Sequence, residues 1–332
     1  MSIFNPSLLL HRLKNFKYKN QFPIGSIYPS QRRSVVLVLL FIGGKGELRV
    51  LLTKRSRGLR SFSGHVSLPG GKADNDFELF EEVARREAEE EIGLPRDAET
   101  LKSKFGMGVE NILTHTPFYL STTFLSVRPM VCFLYNDTGS SDPEVKYKIP
   151  LNVSSFFGKL NPGETSSIFS IPLVDIAAHL LPPKINYKPE YIKRTKNTKN
   201  WGGLDWNISH YHYPSDNPKE EKWLSEISDS SSGDEIENGL KYRDVWGLTA
   251  KILYDISRIS LEYVDNKDKN IILGEEQVIY GLYEYGKQMR PGKRSDWELN
   301  MLSGKRKVQF SDVLPESYLK TIESPSDNDD NA

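Results

Sequence analysis

Uninterrupted apolar runs mark the first predicted elements of the chain. The segment VVLVLLFI at 35–42 is followed by GGKGE and then by LRVLLTKRS, a pattern typical of a β-hairpin that leads into a basic loop. The run FLSVRPMVCFLY at 124–135 predicts another long strand or a strand pair. The segment at 166–181 predicts a strand followed by a short helix, and the segment at 245–264 predicts an amphipathic helix that returns to the core.

A different pattern lies between positions 78 and 94, where carboxylates interrupt the apolar stripe of a predicted helix. At about 100° per residue, Glu87, Glu90 and Glu91 fall in the middle of that stripe. Repulsion between neighbouring carboxylates, the helix dipole and partial burial all oppose this arrangement, and Gly93 is placed to end the helix. Bound divalent cations would reverse all three effects. The pattern therefore predicts a site for Mg²⁺ or Mn²⁺, which prefer oxygen ligands.

Composition indicates a soluble globular chain. Its 332 residues are 38% hydrophobic and 27% charged, enough for one large domain or two small ones. Forty-four basic residues balance forty-four acidic ones, so no global charge draws the chain to nucleic acid or to a membrane. The longest apolar run is too short to span a bilayer. The single cysteine, Cys132, excludes an intramolecular disulfide, indicates a reducing compartment and is interpreted as a buried strand thiol.

Charge and polarity also suggest how the chain is divided. Residues 1–33 contain no acidic residue and are interpreted as a basic extension, either an organelle-targeting segment or a solvated one. The main domain is predicted at 34–290, with a polar insertion at 186–240 that is partly disordered. Residues 291–332 are predicted to be a peripheral tail that ends in SDNDDNA, without a Ser-Lys-Leu peroxisomal signal. His210 and His212 in HYHYP are interpreted as surface histidines, because the six histidines show no ligand spacing.

The acidic helix resembles the Nudix box. Glu78 is followed after seven residues by Arg86-Glu87-Ala88-Glu89-Glu90-Glu91-Ile92-Gly93-Leu94, which matches the Arg-Glu-apolar-x-Glu-Glu-x-Gly-apolar part of that motif. Lys72 stands where the box has its first glycine, and the glycine is one step earlier at Gly71. The glutamates nevertheless remain in register. The resemblance implies a Nudix α/β/α sandwich with a mixed sheet, in which the acidic helix packs on the sheet.

A second motif is similar to the coenzyme A diphosphatase branch of this family. LLTKRSRGLRSFSGHVSLPGG at 51–71 differs from the branch pattern only at Leu68, which stands where the branch has phenylalanine. The whole resemblance covers about 34–182 and 243–264. It implies Mg²⁺- or Mn²⁺-dependent hydrolysis of coenzyme A or acyl-CoA to 3′,5′-ADP and (acyl)phosphopantetheine. Acyl preference and oligomeric state stay open.

The resemblance also assigns roles to individual residues. The metal ligands are expected to be Glu87, Glu90 and Glu91, and Arg86 is expected to hold a glutamate in ligand geometry. The candidates for the catalytic base are Glu90 and Glu164, the latter in NPGET. The expected substrate-binding residues are Lys54, Arg55, Arg60, Gly70 and Gly71.

Two other functions fit the box. One is a nucleotide-pool sanitiser that acts on oxidised nucleoside triphosphates, because the box alone does not set the substrate. The other is a catalytically inactive Nudix module that binds a ligand or partner, although such a module has no need for the complete glutamate set. Relatives of the branch imply a peroxisomal location, with the mitochondrion or the cytoplasm as alternatives.

Overall fold

A computed structural model describes residues 4–59, 62–152, 160–161, 163–225, 234–237, 239–264 and 273–322. The helices are α1 (Pro6–Asn15), α2 (Ile24–Ile27), α3 (Phe80–Ile92), α4 (Ala98–Phe105), α5 (Lys222–Ser225), α6 (Gly247–Ser260), α7 (Glu276–Glu284), α8 (Asp296–Ser303) and α9 (Glu316–Ile322). The strands are β1 (Arg33–Ile42), β2 (Leu48–Arg55), β3 (Val66–Ser67), β4 (Gly70–Lys72), β5 (Met107–Leu113), β6 (Tyr119–Leu120), β7 (Ser126–Asn136), β8 (Thr165–Pro172), β9 (Lys193–Trp201), β10 (Leu204–Pro214), β11 (Glu235–Glu237) and β12 (Leu240–Trp246).

A mixed sheet forms the centre of the molecule. Its order is β3-β2-β1-β7-β5, and β4, β6 and β8 pair with β1, β7 and β2 respectively. β1 and β7 are parallel, from Arg33 opposite Ser126 to Leu40 opposite Phe133, whereas the other pairs in this sheet are antiparallel. A central strand is covered on both faces, which explains the continuous apolar run of β1.

Helices cover both faces of this sheet. Val38 and Leu40 of β1 point to a core shared with α6, and the alternate residues Leu37 and Leu39 point to a core shared with α3 and α4. The α/β/α sandwich with a mixed sheet is therefore confirmed. Cys132 is buried in β7, as predicted, and burial raises the pKa of its thiol to about 12.

The N-terminal segment packs into the core. Leu9, Leu10 and Leu13 of α1 are fully buried in the same cluster as α6. Arg12 forms an ion pair with Glu262 at 2.6 Å. The interpretation of residues 1–33 as a solvated extension is therefore wrong for α1. The sequence shows many basic residues here, and they flank three leucines that occupy one face of the helix. The amphipathic pattern of α1 is therefore hard to recognise from composition.

The polar insertion contains a second sheet. Strands β11-β12-β10-β9 form an antiparallel sheet. Tyr211 and Tyr213 of β10 are buried in the main core, so the segment 186–240, which is predicted as a polar insertion, contributes to the core at these positions. Alternation along HYHYP places the tyrosines on the core side and the histidines on the opposite face. Disorder is expected at 228–239; residues 228–233 and 238 lie outside the described part of the chain, whereas Glu235–Glu237 form strand β11.

The C-terminal helices also have a buried face. Trp297 and Phe310 stack edge to face with ring centroids 5.7 Å apart, and Phe310 packs in the same way on Trp201 of β9 at 5.4 Å. A third apolar cluster therefore joins this segment to the insertion sheet and to α7. The description of these residues as peripheral is wrong for this aromatic group. The proposed domain limits at 33 and 290 stay a prediction.

Candidate active site

The acidic helix α3 is fixed at both ends. The backbone N–H of Leu79 donates to the side chain of Glu82 at 2.8 Å, which caps the first turn. At the other end Gly93 has φ of 71°, and its N–H donates to the carbonyl of Glu89 at 3.0 Å. Val83 and Ala88 are buried against the sheet. This docking brings the last helical turn, with its glutamates, against β4.

Two glycines of β4 lie in contact with these glutamates. The N–H of Gly70 donates to Oε2 of Glu91 at 3.1 Å. Gly70 has φ of 155°, and a Cβ atom on it would lie 2.3 Å from the carbonyl oxygen of Val35. A Cβ atom on Gly71 would lie 2.2 Å from Oε1 of Glu87. At Gly70 only glycine fits against the backbone of β1, and at Gly71 a larger residue would displace the Glu87 carboxylate.

Arg86 holds the glutamates from the exposed side. Its Nε donates to Oε1 of Glu78 at 2.8 Å, and its Nη1 donates to Oε1 of Glu87 at 2.8 Å. Nη2 donates to the carbonyl of Lys72 at 2.8 Å. These charge-assisted bonds raise the pKa of Arg86, with the bond to Glu78 as the largest cause. One guanidinium therefore joins α3 to the loop after β4.

Glu78 is a member of this site that the sequence analysis does not assign. Burial alone would raise the pKa of its carboxyl, but the hydrogen bonds from Arg86 and from the N–H of Asp74 lower it below its usual range. The signal for Glu78 is present in its fixed spacing from Arg86. The spacing does not show that Glu78 pairs with Arg86, because the pairing depends on how the turn between the two residues folds.

The electrostatics of the site favour a bound cation. Burial raises the pKa of Glu91 to about 8; the N–H of Gly70 opposes this rise, and the carboxylates of Glu87 and Glu164 add to it. Burial is also the largest cause of the raised pKa of Glu87, although Arg86 opposes it. Glu90 has a side chain that is 45% exposed and lies 3.4 Å from Arg86. Several carboxylates at a shared, partly buried place are a donor set that suits a hard divalent ion.

Distant loops add two charged residues to the same place. β2 and β8 pair so that Arg55 lies opposite Thr165, next to Glu164. The N–H of Ser56 donates to the carbonyl of Glu164 at 2.9 Å, which ties the two loops together. Charge on Glu164 raises the pKa of Glu91, and charge on Arg55 lowers it. The charges of both predicted residues therefore act on Glu91 from the paired ends of β2 and β8.

Lys54 occupies a different environment from the one predicted. It is 4% exposed, and its Nζ lies 2.5 Å from Oδ1 of Asp234 in the insertion. The ammonium group of Lys54 therefore forms an interior ion pair with Asp234 and does not face the carboxylates of α3 as a substrate-binding group would. Strand alternation explains the difference, because neighbours in β2 point to opposite faces. Arg60 lies outside the described residues.

Comparison with known proteins agrees with this geometry. The NUDIX domain model matches residues 31–171. Peroxisomal coenzyme A diphosphatase 1 of Saccharomyces cerevisiae is 54% identical over 322 residues, which cover 95% of this chain and 94% of that protein. The chain belongs to the NUDIX family. It is a Nudix hydrolase, and such hydrolases generally use divalent metal ions.

More distant NUDIX proteins match parts of the chain. Nudix hydrolase 15, mitochondrial, of Arabidopsis thaliana is 32% identical over 231 residues, which cover 70% of this chain and 59% of that protein. The solved MutT protein of Methanosarcina mazei Go1 aligns with a TM-score of 0.28 and 23% identity, over 44% of this chain and 79% of that one. At this score the alignment supports no argument. In the described part of the NUDIX chain, no helix has the length and apolarity needed to cross a membrane.

The NUDIX box departs from its usual form at one place that the structure explains. Lys72 replaces the first glycine of the box, and its backbone carbonyl accepts a hydrogen bond from Arg86. A carbonyl is present whatever the side chain, so this contact does not require glycine. Gly71, one residue earlier, makes the close approach to Glu87 instead.

Proposed function

We propose that this chain hydrolyses the diphosphate of coenzyme A or acyl-CoA. Water attacks one phosphorus, the P–O–P bridge breaks, and the products are 3′,5′-ADP and (acyl)phosphopantetheine. The observation that carries the proposal is the 54% identity over 95% of the chain to a protein named a coenzyme A diphosphatase. The effect of the Glu87 and Glu164 charges on the buried Glu91 supports it, because these carboxylates are a donor set for ions, and a phosphoanhydride must be neutralised before water can attack.

The metal ligands in this proposal are Glu87, Glu90 and Glu91, and the ions are Mg²⁺ or Mn²⁺. When bound, such ions neutralise the phosphate charge and polarise the phosphorus. Arg86 is a positioning residue, since its guanidinium bonds to Glu87 and Glu78 instead of pointing to open solvent. It keeps the Glu87 carboxylate turned towards β4.

We assign the catalytic base to Glu164 and keep Glu90 as the competing assignment. Glu164 lies on a loop separate from α3, and its charge reaches both Glu87 and Glu91. A residue on a separate loop can face the attacking water while the helix carboxylates hold the ions. Loss of the base lowers kcat while leaving metal affinity unchanged, whereas loss of a ligand lowers both. Comparison of Glu164→Gln with Glu90→Gln by kinetics and by Mn²⁺ titration separates the two roles.

The substrate-binding part of the proposal rests on Arg55, Arg60, Gly70 and Gly71. Arg55 is close enough to the site to lower the pKa of Glu91, so its charge also acts on a diphosphate bound there. Gly70 and Gly71 belong to the proposal because β4 lies directly beside the carboxylates that would hold the ions. Lys54 is not part of this substrate-binding set, because it is buried and forms an ion pair with Asp234.

We also infer a peroxisomal location, because the full-length yeast relative carries that location in its name. The relative named mitochondrial covers less of the chain and is less similar to it. Fluorescence microscopy of the full-length chain, tagged internally in an exposed loop, tests the inference in a cell with marked peroxisomes. Signal in the mitochondria or the cytosol would contradict it.

A substrate panel tests the proposed reaction. The purified chain is given coenzyme A, an acyl-CoA and an oxidised deoxynucleoside triphosphate with Mg²⁺ or Mn²⁺, and the products are identified by mass spectrometry. We expect 3′,5′-ADP with (acyl)phosphopantetheine at the highest kcat/KM. Faster cleavage of the triphosphate would replace the proposal by nucleotide-pool sanitation. Binding without turnover of any of these compounds would indicate an inactive Nudix module.

A further inference from the structure

A second cluster of ligand-type side chains lies on the insertion sheet, apart from the Nudix helix. His210, His212 and Asp244 each offer one ligand atom, and these atoms all lie within 4.8 Å of one another. Nδ1 of His210 is 2.7 Å from Oδ2 of Asp244, and Nε2 of His212 is 3.8 Å from Oδ1 of the same carboxylate. Two imidazoles therefore converge on one carboxylate.

Strand register fixes this arrangement. His212 of β10 lies directly opposite Asp244 of β12, and His210 lies two residues away on the same face. The intervening Tyr211 is buried in the core, so a shift of one residue would move the histidines inward and expose the tyrosine. The backbone thus holds the three donors before any ion binds.

Aromatic neighbours restrict the orientation of both imidazole rings. His210 stacks on Trp246 with centroids 5.3 Å apart and planes 5° apart. His212 stacks on Tyr242 at 4.3 Å and 12°. The side chains of His210, His212 and Asp244 are 20%, 11% and 12% exposed, so the cluster is partly enclosed but within reach of solvent. Such restriction lowers the entropy that is lost when a ligand is bound.

We propose that His210, His212 and Asp244 bind a divalent transition-metal ion, of which Zn²⁺ is the best match. Two imidazole nitrogens and one carboxylate oxygen suit zinc, and a fourth position remains for water or another ligand. The donor set differs from the all-carboxylate set of α3, which suits Mg²⁺ or Mn²⁺. The two sites should therefore select different ions. Under this proposal the two histidines are metal ligands instead of ordinary surface residues.

A zinc titration tests the proposal on the full-length chain, prepared without a histidine tag and stripped with a chelator. Zn²⁺ uptake is measured in excess Mg²⁺ by competition with a chromophoric chelator, for wild type, Glu91→Gln, His212→Gln and Asp244→Asn. We expect wild type and Glu91→Gln to bind one Zn²⁺ with similar affinity. We expect His212→Gln and Asp244→Asn to lose more than the roughly 10–100-fold in affinity that removal of an outer-shell partner costs. His115→Gln, at an exposed histidine outside the cluster, is the matched control and should bind as wild type does.

The wild type alone also gives a decisive measurement, independent of whether a variant folds. Addition of Zn²⁺ should shift the imidazole NMR signals of His210 and His212 and leave that of His115 unchanged. Equal zinc affinity of folded wild type, His212→Gln and Asp244→Asn would overturn the proposal. So would a wild type that takes up no zinc at micromolar concentration, because the cluster would then be a hydrogen-bonded group of the sheet surface. Coenzyme A hydrolysis is not a readout of either measurement.

Discussion

A Cβ atom on Gly71 would lie 2.2 Å from Oε1 of Glu87, so the backbone of β4 and a carboxylate of α3 are in direct contact. The proposed metal site depends on that contact. The strand sets the position of Glu87 and Glu91 from one side, and Arg86 sets it from the other. The first prediction follows directly from this packing.

Gly71→Ala should displace the Glu87 carboxylate and weaken metal binding. Because displacements of about 1 Å in an active site can cost roughly a hundredfold, we expect a fall of that order in kcat/KM. Mn²⁺ titration and steady-state kinetics measure the two effects. Gly44→Ala, in the β1–β2 turn, is the control, since a Cβ there would be 3.5 Å from its nearest neighbour, Oε2 of Glu221. Activity equal to wild type in both variants would contradict the contact.

Glu91→Gln should remove activity without loss of stability in the absence of metal. Glu91 is buried near the charges of Glu87 and Glu164, which disfavour its ionised form, and an amide is neutral at every pH while also removing a metal oxygen. Loss of several kcal/mol of transition-state stabilisation corresponds to roughly a hundredfold or more in kcat.

Calorimetric scans should show that Mg²⁺ or Mn²⁺ raises the Tm of wild type more than that of Glu91→Gln. Glu81→Gln, at an exposed glutamate of the same helix, should behave as wild type does in both assays. Turnover of Glu91→Gln at the wild-type rate with saturating metal would show that Glu91 is not a ligand.

Arg86→Lys keeps the charge of Arg86 but cannot reproduce its planar fork. Arg86 bonds at the same time to Glu78, Glu87 and the carbonyl of Lys72. Loss of charge-assisted bonds worth about 1.5–3 kcal/mol corresponds to roughly 10–100-fold in kcat/KM. Arg96→Lys is the matched control, because its ion pair with Glu89 is exposed and contributes little. A loss of the same size in both variants would mean that general surface charge, not geometry, is responsible.

Dephospho-coenzyme A lacks the 3′-phosphate of coenzyme A, and we propose that Arg60 in the basic loop binds this group. Coenzyme A should therefore be cleaved faster than dephospho-coenzyme A. The charge-assisted bonds at stake are worth about 1.5–3 kcal/mol, which predicts a preference on the order of tenfold to a hundredfold in kcat/KM. Arg60→Ala should reduce the preference by slowing only the larger substrate, whereas Glu91→Gln should slow both alike. Equal rates of the wild type on the two substrates would remove this role from the loop.

Leu9→Ala should destabilise the whole domain. Leu9 is fully buried in the core next to α6, and removal of a buried leucine side chain costs about 2–5 kcal/mol. Urea unfolding of the full chain measures the loss, and His11→Ala, exposed on the same helix, should stay close to wild type. An unchanged free energy of unfolding for Leu9→Ala would restore the interpretation of a solvated N-terminal extension.

The sequence by itself determined the features that depend on residues close together in the chain. The apolar run of β1 predicted a buried strand, and three glutamates in the apolar stripe of α3 predicted an acidic site, because spacing along one helix fixes which side chains share a face. The spacing of Glu78, Arg86 and Gly93 also identified the family. Each of these features depends on neighbours within a single element.

Only the tertiary structure decided which distant segments meet. Pairing of β2 with β8 carries Glu164 to Glu91, and an ion pair with Asp234 withdraws Lys54 into the interior. The predictions made from composition were also wrong for α1 and β10, which are buried on one face. A few leucines and tyrosines among many polar residues are enough for that burial. Contacts between residues far apart in the chain depend on strand register and helix docking. Both are set by the packing of the whole core, which cannot be predicted from the spacing of residues within one element.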